Sequence, residues 1–152
     1  MKTAAIALLA LSLTAPVLAQ TDRISAPALR DLQRTEKRLK IFDARNKTSY
    51  EDEHIAGAVL PLSDDYYRLM EMFRLKVIPK APDADAALAD AVKDLPRDTP
   101  VVTYCSKNCS ASRIMAERLE KLGFTDARWL EDGIQAWKEA GYPVETEKAL
   151  GL

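Results

Sequence analysis

The sequence predicts an α/β protein in which a central parallel sheet carries helices on both faces. The first observation is that short apolar runs alternate along the chain with longer stretches of helical periodicity. The second is that proline and glycine stand at most boundaries between these segments. Ligands of such sheets bind at the carboxyl ends of the strands, so chemically active residues are expected there.

The chain up to residue 62 predicts one helix and two strands. A helix is predicted from Ser25 to Lys37, because Leu29 and Leu32 fall on one side of it. The run from Leu39 to Ala44 predicts a strand that ends at a charged loop. A second short strand is predicted from Ala58 to Leu62, directly after a glycine.

Two helices are predicted between residues 63 and 95. The first opens at Ser63, and the acidic residues Asp64 and Asp65 suit its first turn. Its apolar face is formed by Tyr66, Leu69, Met70 and Phe73. Pro79 and Pro82 break this helix, and an alanine-rich helix from Asp83 to Leu95 follows, closed by Pro96.

The remainder of the chain alternates strand and helix twice more. Val101 to Tyr104 predicts a buried strand, and Ala111 to Leu122 predicts the helix that follows it. A further strand is predicted from Ala127 to Leu130, followed by a helix from Gly133 to Ala140. That helix ends in Gly141-Tyr142-Pro143, with glycine at the left-handed position and proline just beyond.

Cys105 and Cys109 are the only cysteines, and their position indicates a nucleophile site. Cys105 ends the Val101 to Tyr104 strand, and a short polar loop joins it to the helix that begins at Ala111. Unpaired backbone N–H groups converge at such a helix start, and with the helix dipole they favour negative charge. They would therefore stabilise a thiolate and also hold an anionic substrate.

The first residues predict an export signal rather than part of the fold. Met1-Lys2 provides a positive start, Ala4 to Leu13 is apolar, and Val17 to Ala19 supplies small residues for cleavage. We expect an exported protein, periplasmic or secreted, that has no membrane association after removal of the signal. The predicted divisions are a signal peptide at 1–19, an N-terminal helical segment at 20–38, the main domain at 39–147 and a tail at 148–152.

Composition limits the classes of function. The chain has 152 residues, of which 47% are hydrophobic and 30% charged, with a net charge of −1. Basic residues are interspersed with acidic ones, which argues against a nucleic-acid partner. Two cysteines are too few for a disulfide scaffold, and a single histidine argues against a histidine-rich metal site. No cofactor is predicted.

Four stretches in order resemble the rhodanese domain, the fold of a sulfurtransferase family. They are the strand and Asp-x-Arg of Ile41 to Arg45, the Glu53 to Ala58 stretch with Ala56 where the family has proline, the strand from Val101 to Cys105, and the closing run from Leu122 to Val144 with its tryptophan helix and Gly-x-Pro ending. The resemblance extends from about Leu39 to Glu145, nearly the whole predicted mature chain.

The resemblance implies a persulfide cycle with Cys105 as the catalytic nucleophile. The Cys105 thiolate would attack the outer sulfur of thiosulfate or a related small anion. Its persulfide would then pass the sulfur to a thiophilic acceptor, such as cyanide or a protein thiol. A ring of backbone N–H groups would hold the anion without a metal. The substrate-binding residues expected to form this ring are Ser106, Lys107, Asn108, Cys109, Ser110 and Ala111.

Three other residues take supporting positions by the same resemblance. Asp43 and Arg45, just past a strand expected to neighbour the Cys105 strand, would brace the active loop through hydrogen bonds and charge pairing. The alternative is a loop ion pair of little energetic worth. His54, the only histidine, is expected to be a hydrogen-bonded packing residue rather than a general base.

The loop departs from the family's common form in two respects. Ser106 stands where many members have arginine, and Lys107 is the only cation within the loop. The second departure is Cys109, four residues after Cys105. It is either a resolving thiol, which attacks the Cys105 persulfide and releases sulfide, or a residue that merely occupies the loop.

Three rival functions are considered. A phosphatase or arsenate reductase on this fold would need an arginine clamp in a Cys-x5-Arg pattern, but after five intervening residues the position of that arginine is occupied by Ala111. A thiol–disulfide redox protein would use Cys105 and Cys109 for electron transfer, although their spacing is not Cys-x-x-Cys. A non-catalytic binding module would use the segment Tyr66 to Ile78, which a core helix also explains.

Overall fold

The computed structural model describes residues 22–147. The predicted signal peptide at 1–19 and the tail at 148–152 lie outside these residues. Within them, the strands are β1 Asp22–Ile24, β2 Lys40–Asp43, β3 His54–Ile55, β4 Val101–Tyr104, β5 Ala127–Leu130 and β6 Val144–Glu145. The helices of the same range are α1 Ala26–Thr35, α2 Lys47–Asp52, α3 Asp64–Arg74, α4 Ala84–Ala91, α5 Ala111–Lys121 and α6 Gly133–Glu139.

The predicted fold class is confirmed, because a parallel sheet forms the centre of the molecule. Its strand order is β1-β5-β4-β2, and every neighbouring pair is parallel. A small antiparallel sheet pairs β3 with β6. β4, which leads to Cys105, lies inside the central sheet between β5 and β2, so its backbone position is held on both sides.

Alternate residues of the strands build two hydrophobic clusters on opposite faces of the sheet. Ile41 and Val102 belong to the cluster that includes residues of α1 and α6, whereas Phe42 and Val101 belong to the cluster that includes residues of α4 and α5. Trp137 of α6 is fully buried in the first cluster. Helices on both faces explain why the strands are continuous apolar runs.

Helices α1, α3 and α4 each begin at a residue whose side chain caps the first turn. The side chains of Ser25, Ser63 and Asp83 accept hydrogen bonds from first-turn amides of α1, α3 and α4. The helices predicted at 111–122 and 133–140 are confirmed as α5 and α6. The predicted helix from Asp83 to Leu95 is too long, since regular helix ends at Ala91 and turns carry the chain to Pro96.

The strand predicted from Ala58 to Leu62 is wrong. Only Val59 pairs, through one parallel bridge to Phe42 at the free edge of β2, and its side chain is 46% exposed. Pro61 has no N–H with which to extend the pairing.

Three strands were not predicted. They are β1, β3 and β6, each two or three residues long, and such short segments carry no periodicity. β1 and α1 supply Ile24, Ala26 and Leu29 to the same core as the central strands. Within residues 22–147, no helix has the length and apolar character needed to cross a membrane.

Candidate active site

Cys105 lies at the carboxyl end of β4, buried to 4% exposure. Its carbonyl oxygen accepts a hydrogen bond of 2.9 Å from the amide of Ile134, at the start of α6. The cysteine backbone is therefore held both by the sheet before it and by the helix packed beside it. This is the strand end at which the sequence predicts the reactive residue.

A tight turn follows Cys105 and brings the chain back toward it. The amide of Cys109 donates to the Ser106 carbonyl over 3.2 Å, and Asn108 adopts a positive φ of 61°. Asparagine tolerates this left-handed conformation better than most non-glycine residues. The amide of Lys107 donates to Gln135 Oε1 over 2.8 Å, so α6 also anchors the turn.

The turn places the two cysteines in a disulfide. The Cα atoms of Cys105 and Cys109 are 6.0 Å apart, and their sulfur atoms are bonded. Cys109 stands two residues before the first residue of α5, so the Cys105 sulfur lies at the start of that helix. The partial positive charge of the helix N-terminus favours a thiolate at this place once the disulfide is reduced.

Part of the predicted anion cradle is engaged with protein in the disulfide state. The amides of Lys107 and Cys109 donate to protein acceptors, as described above. Ser110 and Ala111 lie at the start of α5, where backbone N–H groups lack partners within the helix. The role of the Ser106 to Ala111 stretch in substrate binding stays a prediction.

Asp43 is the centre of a buried network beside β4. It is fully buried, and its carboxylate accepts from the Arg45 amide and guanidinium at 2.6–3.1 Å. It also accepts from the Tyr104 hydroxyl at 2.5 Å. Arg45 continues the network by donating to the Glu53 carbonyl at 2.6 Å, and the Ile55 amide donates to the Tyr104 oxygen at 3.2 Å.

This network ties the end of β4 to the neighbouring elements. Tyr104 precedes Cys105, and β2 pairs Asp43 with Tyr104 in the sheet register. Burial lowers the pKa of the Arg45 guanidinium, but its hydrogen bonds and charge pairing with Asp43 outweigh burial and raise the pKa above its ordinary value. The geometry fits the predicted bracing role, and the pair is buried rather than a solvated loop ion pair.

The Tyr104 phenol predicts a loss of stability in alkali. Burial raises its pKa well above the ordinary value, and the negative charge of Asp43 raises it further. Because the folded pKa exceeds the unfolded one, this stabilisation is complete below about pH 10 and is lost as pH rises. We expect the free energy of unfolding to fall above about pH 10, with up to about 1.4 kcal/mol per pH unit from this group.

Urea unfolding of the wild type and of Tyr104→Phe between about pH 8 and about pH 11 measures this dependence. Tyr67 also has a pKa raised by burial, so a residual slope is expected in the variant. Equal slopes in the two proteins would show that Tyr104 does not titrate abnormally.

His54 makes contacts typical of a packing residue. It is 4% exposed, its Nδ1 lies 2.9 Å from the Tyr50 carbonyl oxygen, and the two rings stack at 3.9 Å. Its Nε2 lies 3.5 Å from a Glu145 carboxylate oxygen on β6. These contacts join α2, β3 and β6, in agreement with the predicted packing role.

A cleft of about 1,060 Å³ opens next to Ala111, which follows the Cys105 to Ser110 loop. Its walls include α3 and α5, and it reaches Arg45 and Ala111 next to the site. Apolar side chains contribute to its lining, among them Met70, Ile114 and Met115. The cleft is larger than a small sulfur anion requires, so it leaves room for a bulkier molecule beside the loop.

The structure explains why position 133, at the start of α6, is a glycine. A Cβ on Gly133 would lie 2.0 Å from the Cys105 carbonyl oxygen and 2.7 Å from its carbonyl carbon. Gly133 also has a positive φ of 59°. Only glycine allows the start of α6 to approach the cysteine backbone this closely.

We expect Gly133→Ala to destabilise the fold and displace the Cys105 loop. The left-handed backbone alone costs about 1–2 kcal/mol, and the clash with Cys105 adds to it. Gly57→Ala is the matched control, since Gly57 has φ of 78° and a Cβ added there would meet open space. Urea unfolding compares the two, and equal losses would show that the close approach to Cys105 carries no cost.

Three contributors to the site were missed by the sequence analysis. They are the Tyr104 hydroxyl, the Ile134 amide and the Gln135 side chain. The Asp132-Gly133 dipeptide is a turn signal that predicts a sharp start for α6, but it does not show which loop that start meets. Within residues 22–147, no group of histidine, cysteine and carboxylate residues is arranged to hold a metal ion.

Comparison with known proteins agrees with this architecture. The family model of the rhodanese-like domain matches residues 25–140. The chain is 27% identical over 125 residues to the probable adenylyltransferase/sulfurtransferase MoeZ of Mycobacterium tuberculosis, a match that covers 82% of this chain and 26% of MoeZ. The chain thus spans about a quarter of the length of that relative.

Solved structures show the same fold at low identity. The BH2092 protein from Bacillus halodurans has a TM-score of 0.61 at 19% identity, covering 84% of this chain and 78% of that one. The 3-mercaptopyruvate sulfotransferase SseA from Escherichia coli has a TM-score of 0.60 at 19% identity, covering 83% and 52%. The family match over most of the chain, with Cys105 at the end of β4, places this protein in the rhodanese-like domain family.

Proposed function

We propose that this protein is a sulfurtransferase that carries sulfane sulfur as a persulfide on Cys105. The observation that carries the proposal is the position of the Cys105 sulfur, at the end of a central parallel strand and at the start of α5. The sulfurtransferase named among its relatives supports the same chemistry.

In the first half-reaction, the Cys105 thiolate attacks the outer sulfur of thiosulfate or a related anion. The bond between that sulfur and the rest of the donor breaks, and sulfite or the corresponding leaving group departs with the electron pair. The N-terminal amides of α5 stabilise the thiolate before attack and the anionic donor as it binds. The reaction needs no metal, because backbone dipoles supply the positive potential.

In the second half-reaction, a thiophile attacks the outer sulfur of the persulfide and regenerates the Cys105 thiolate. Cyanide or a protein thiol are the proposed acceptors. The cleft between α3 and α5 supports an acceptor larger than the donor, since it approaches the loop at Ala111. An exported location, in the periplasm or outside the cell, suits a loop that can hold a disulfide.

Sulfur loading of the reduced wild type tests the proposal. The protein is reduced, freed of reductant without oxygen and mixed with thiosulfate or a polysulfide, then quenched and alkylated within seconds. Lys107 lies between the two cysteines, so trypsin separates the Cys105 peptide from the Cys109 peptide. We expect one additional sulfur on the Cys105 peptide at the earliest times. Failure to gain sulfur from either donor, in the wild type and in Cys109→Ser alike, would refute the proposed function.

A further inference from the structure

Cys105 and Cys109 differ in their exposure to solvent. Cys105 is buried to 4% exposure at the end of β4, whereas Cys109 is only partly buried in the turn. The structure bonds their sulfur atoms, and in this state the turn is held by the hydrogen bonds from the Cys109 and Lys107 amides. The second sulfur therefore reaches the first within the folded loop.

We propose that Cys109 resolves the Cys105 persulfide and makes this protein a sulfide-releasing enzyme that depends on an external dithiol. This inference rests on the proposed persulfide on Cys105. It adds a different fate for the sulfur, which leaves as hydrogen sulfide ion instead of passing to an acceptor in the cleft.

The resolving step balances in atoms and electrons. The Cys109 thiol transfers its proton to the outer persulfide sulfur, and its thiolate attacks Sγ of Cys105. The bond between Sγ and the outer sulfur breaks, and that sulfur leaves as HS⁻ with the electron pair. The two cysteines are oxidised to the disulfide seen here, and the sulfane sulfur is reduced to sulfide.

A dithiol must then reduce the disulfide before another turnover. Its thiolate attacks the sulfur of Cys109, because Cys109 is the more exposed of the two cysteines. The Cys105 thiolate is the leaving group, and the N-terminus of α5 stabilises it. The second thiol of the reductant displaces Cys109 and leaves the reductant as a disulfide.

The conformation of the turn favours formation of the disulfide between Cys105 and Cys109. The Ser106 to Cys109 turn depends on the positive φ of Asn108, and the Gln135 side chain holds the Lys107 amide. A β-branched residue at position 108 is strained in this conformation, whereas glycine adopts it freely. The sequence of the turn thus controls how readily the two sulfur atoms meet.

The test is a single turnover of reduced protein with one equivalent of thiosulfate, whose leaving group is sulfite, and no added thiol. The wild type is expected to release close to one sulfide per protein, measured colorimetrically, and to end with linked Cys105 and Cys109 peptides. In Cys109→Ser, sulfide release should fall at least about tenfold, and the persulfide should persist on the Cys105 peptide. Asn108→Val should slow sulfide release, because a β-branched residue is strained in the left-handed conformation of the turn.

The outcomes separate the two proposals. If Cys109→Ser releases sulfide as fast as the wild type, the resolving role is overturned, but the proposed sulfurtransferase function is not. The same conclusion follows if the wild type keeps its Cys105 persulfide beside a free Cys109 thiol. If neither the wild type nor Cys109→Ser gains sulfur, both the resolving role and the proposed sulfurtransferase function are overturned.

The site of reductant attack is read from the oxidised wild type after a brief exposure to glutathione and rapid alkylation. Glutathione is expected on the Cys109 peptide, with the alkylating agent on the Cys105 peptide. The reverse labelling would contradict the proposed direction of attack.

Discussion

Replacement of Cys105 by serine is expected to abolish sulfur transfer, lowering the rate on the order of 10⁴-fold or to the detection limit. A serine hydroxyl is nearly the same size as a thiol, so it fits the buried end of β4. It is not ionised at neutral pH, and it does not form a stable bond to sulfane sulfur. The same variant should show no added sulfur by mass spectrometry.

The comparison is made with reduced proteins, so that loss of the Cys105–Cys109 disulfide does not alter the reference state. Cys109→Ser is the matched variant, because it removes the same disulfide but leaves the proposed nucleophile. It should still show a persulfide on Cys105. Efficient sulfur transfer by Cys105→Ser through Cys109 would contradict the assignment of the nucleophile.

Asp43→Asn is expected to cost about 3–5 kcal/mol of folding free energy. The side chain keeps its size, but its amide nitrogen cannot accept from the Arg45 guanidinium or from the Tyr104 hydroxyl. The Arg45 side chain is only 8% exposed, so its charge would remain buried without a carboxylate to balance it. Urea unfolding at neutral pH measures the loss.

An exposed ion pair provides the control for this substitution. Asp98 accepts from Arg38 over 3.0 Å, but both side chains are more than half exposed. Asp98→Asn should leave the free energy of unfolding almost unchanged, because water solvates the released guanidinium. Adding Arg45→Met to Asp43→Asn should recover part of the stability by removing the unpaired charge. Equal effects at Asp43 and Asp98 would show that burial of the first pair has no energetic weight.

The central elements could be predicted because their sequence patterns are local. β4 is a continuous apolar run, and α5 has a clear apolar face, so the position of Cys105 between them followed directly. The strand predicted at Ala58 to Leu62 failed because a short apolar run does not show whether a partner strand is available. In the structure, Val59 alone pairs with the edge of β2, through a single bridge to Phe42.

The supporting residues of the site could not be derived in the same way. Asp43 and Tyr104 are 61 residues apart, and their hydrogen bond exists only because β2 and β4 are paired in one register. Gln135 reaches the Lys107 amide because α6 starts against the Cys105 carbonyl. That approach leaves no room for a side chain at position 133, which is a glycine. Such contacts depend on the three-dimensional packing of separate elements, which local periodicity does not encode.

The amino-acid order alone determined the alternation of strands and helices and the placement of a thiol at a strand end before a helix. It did so because hydrophobic periodicity and helix breakers act within a few residues of chain. The tertiary structure alone decided that Cys109 is bonded to Cys105, that Asp43 is buried between Arg45 and Tyr104, and that Gly133 packs against the Cys105 backbone. These features require chain segments that are distant in sequence, or folded back in a turn, to occupy defined positions, and only the packed sheet and its helices fix those positions.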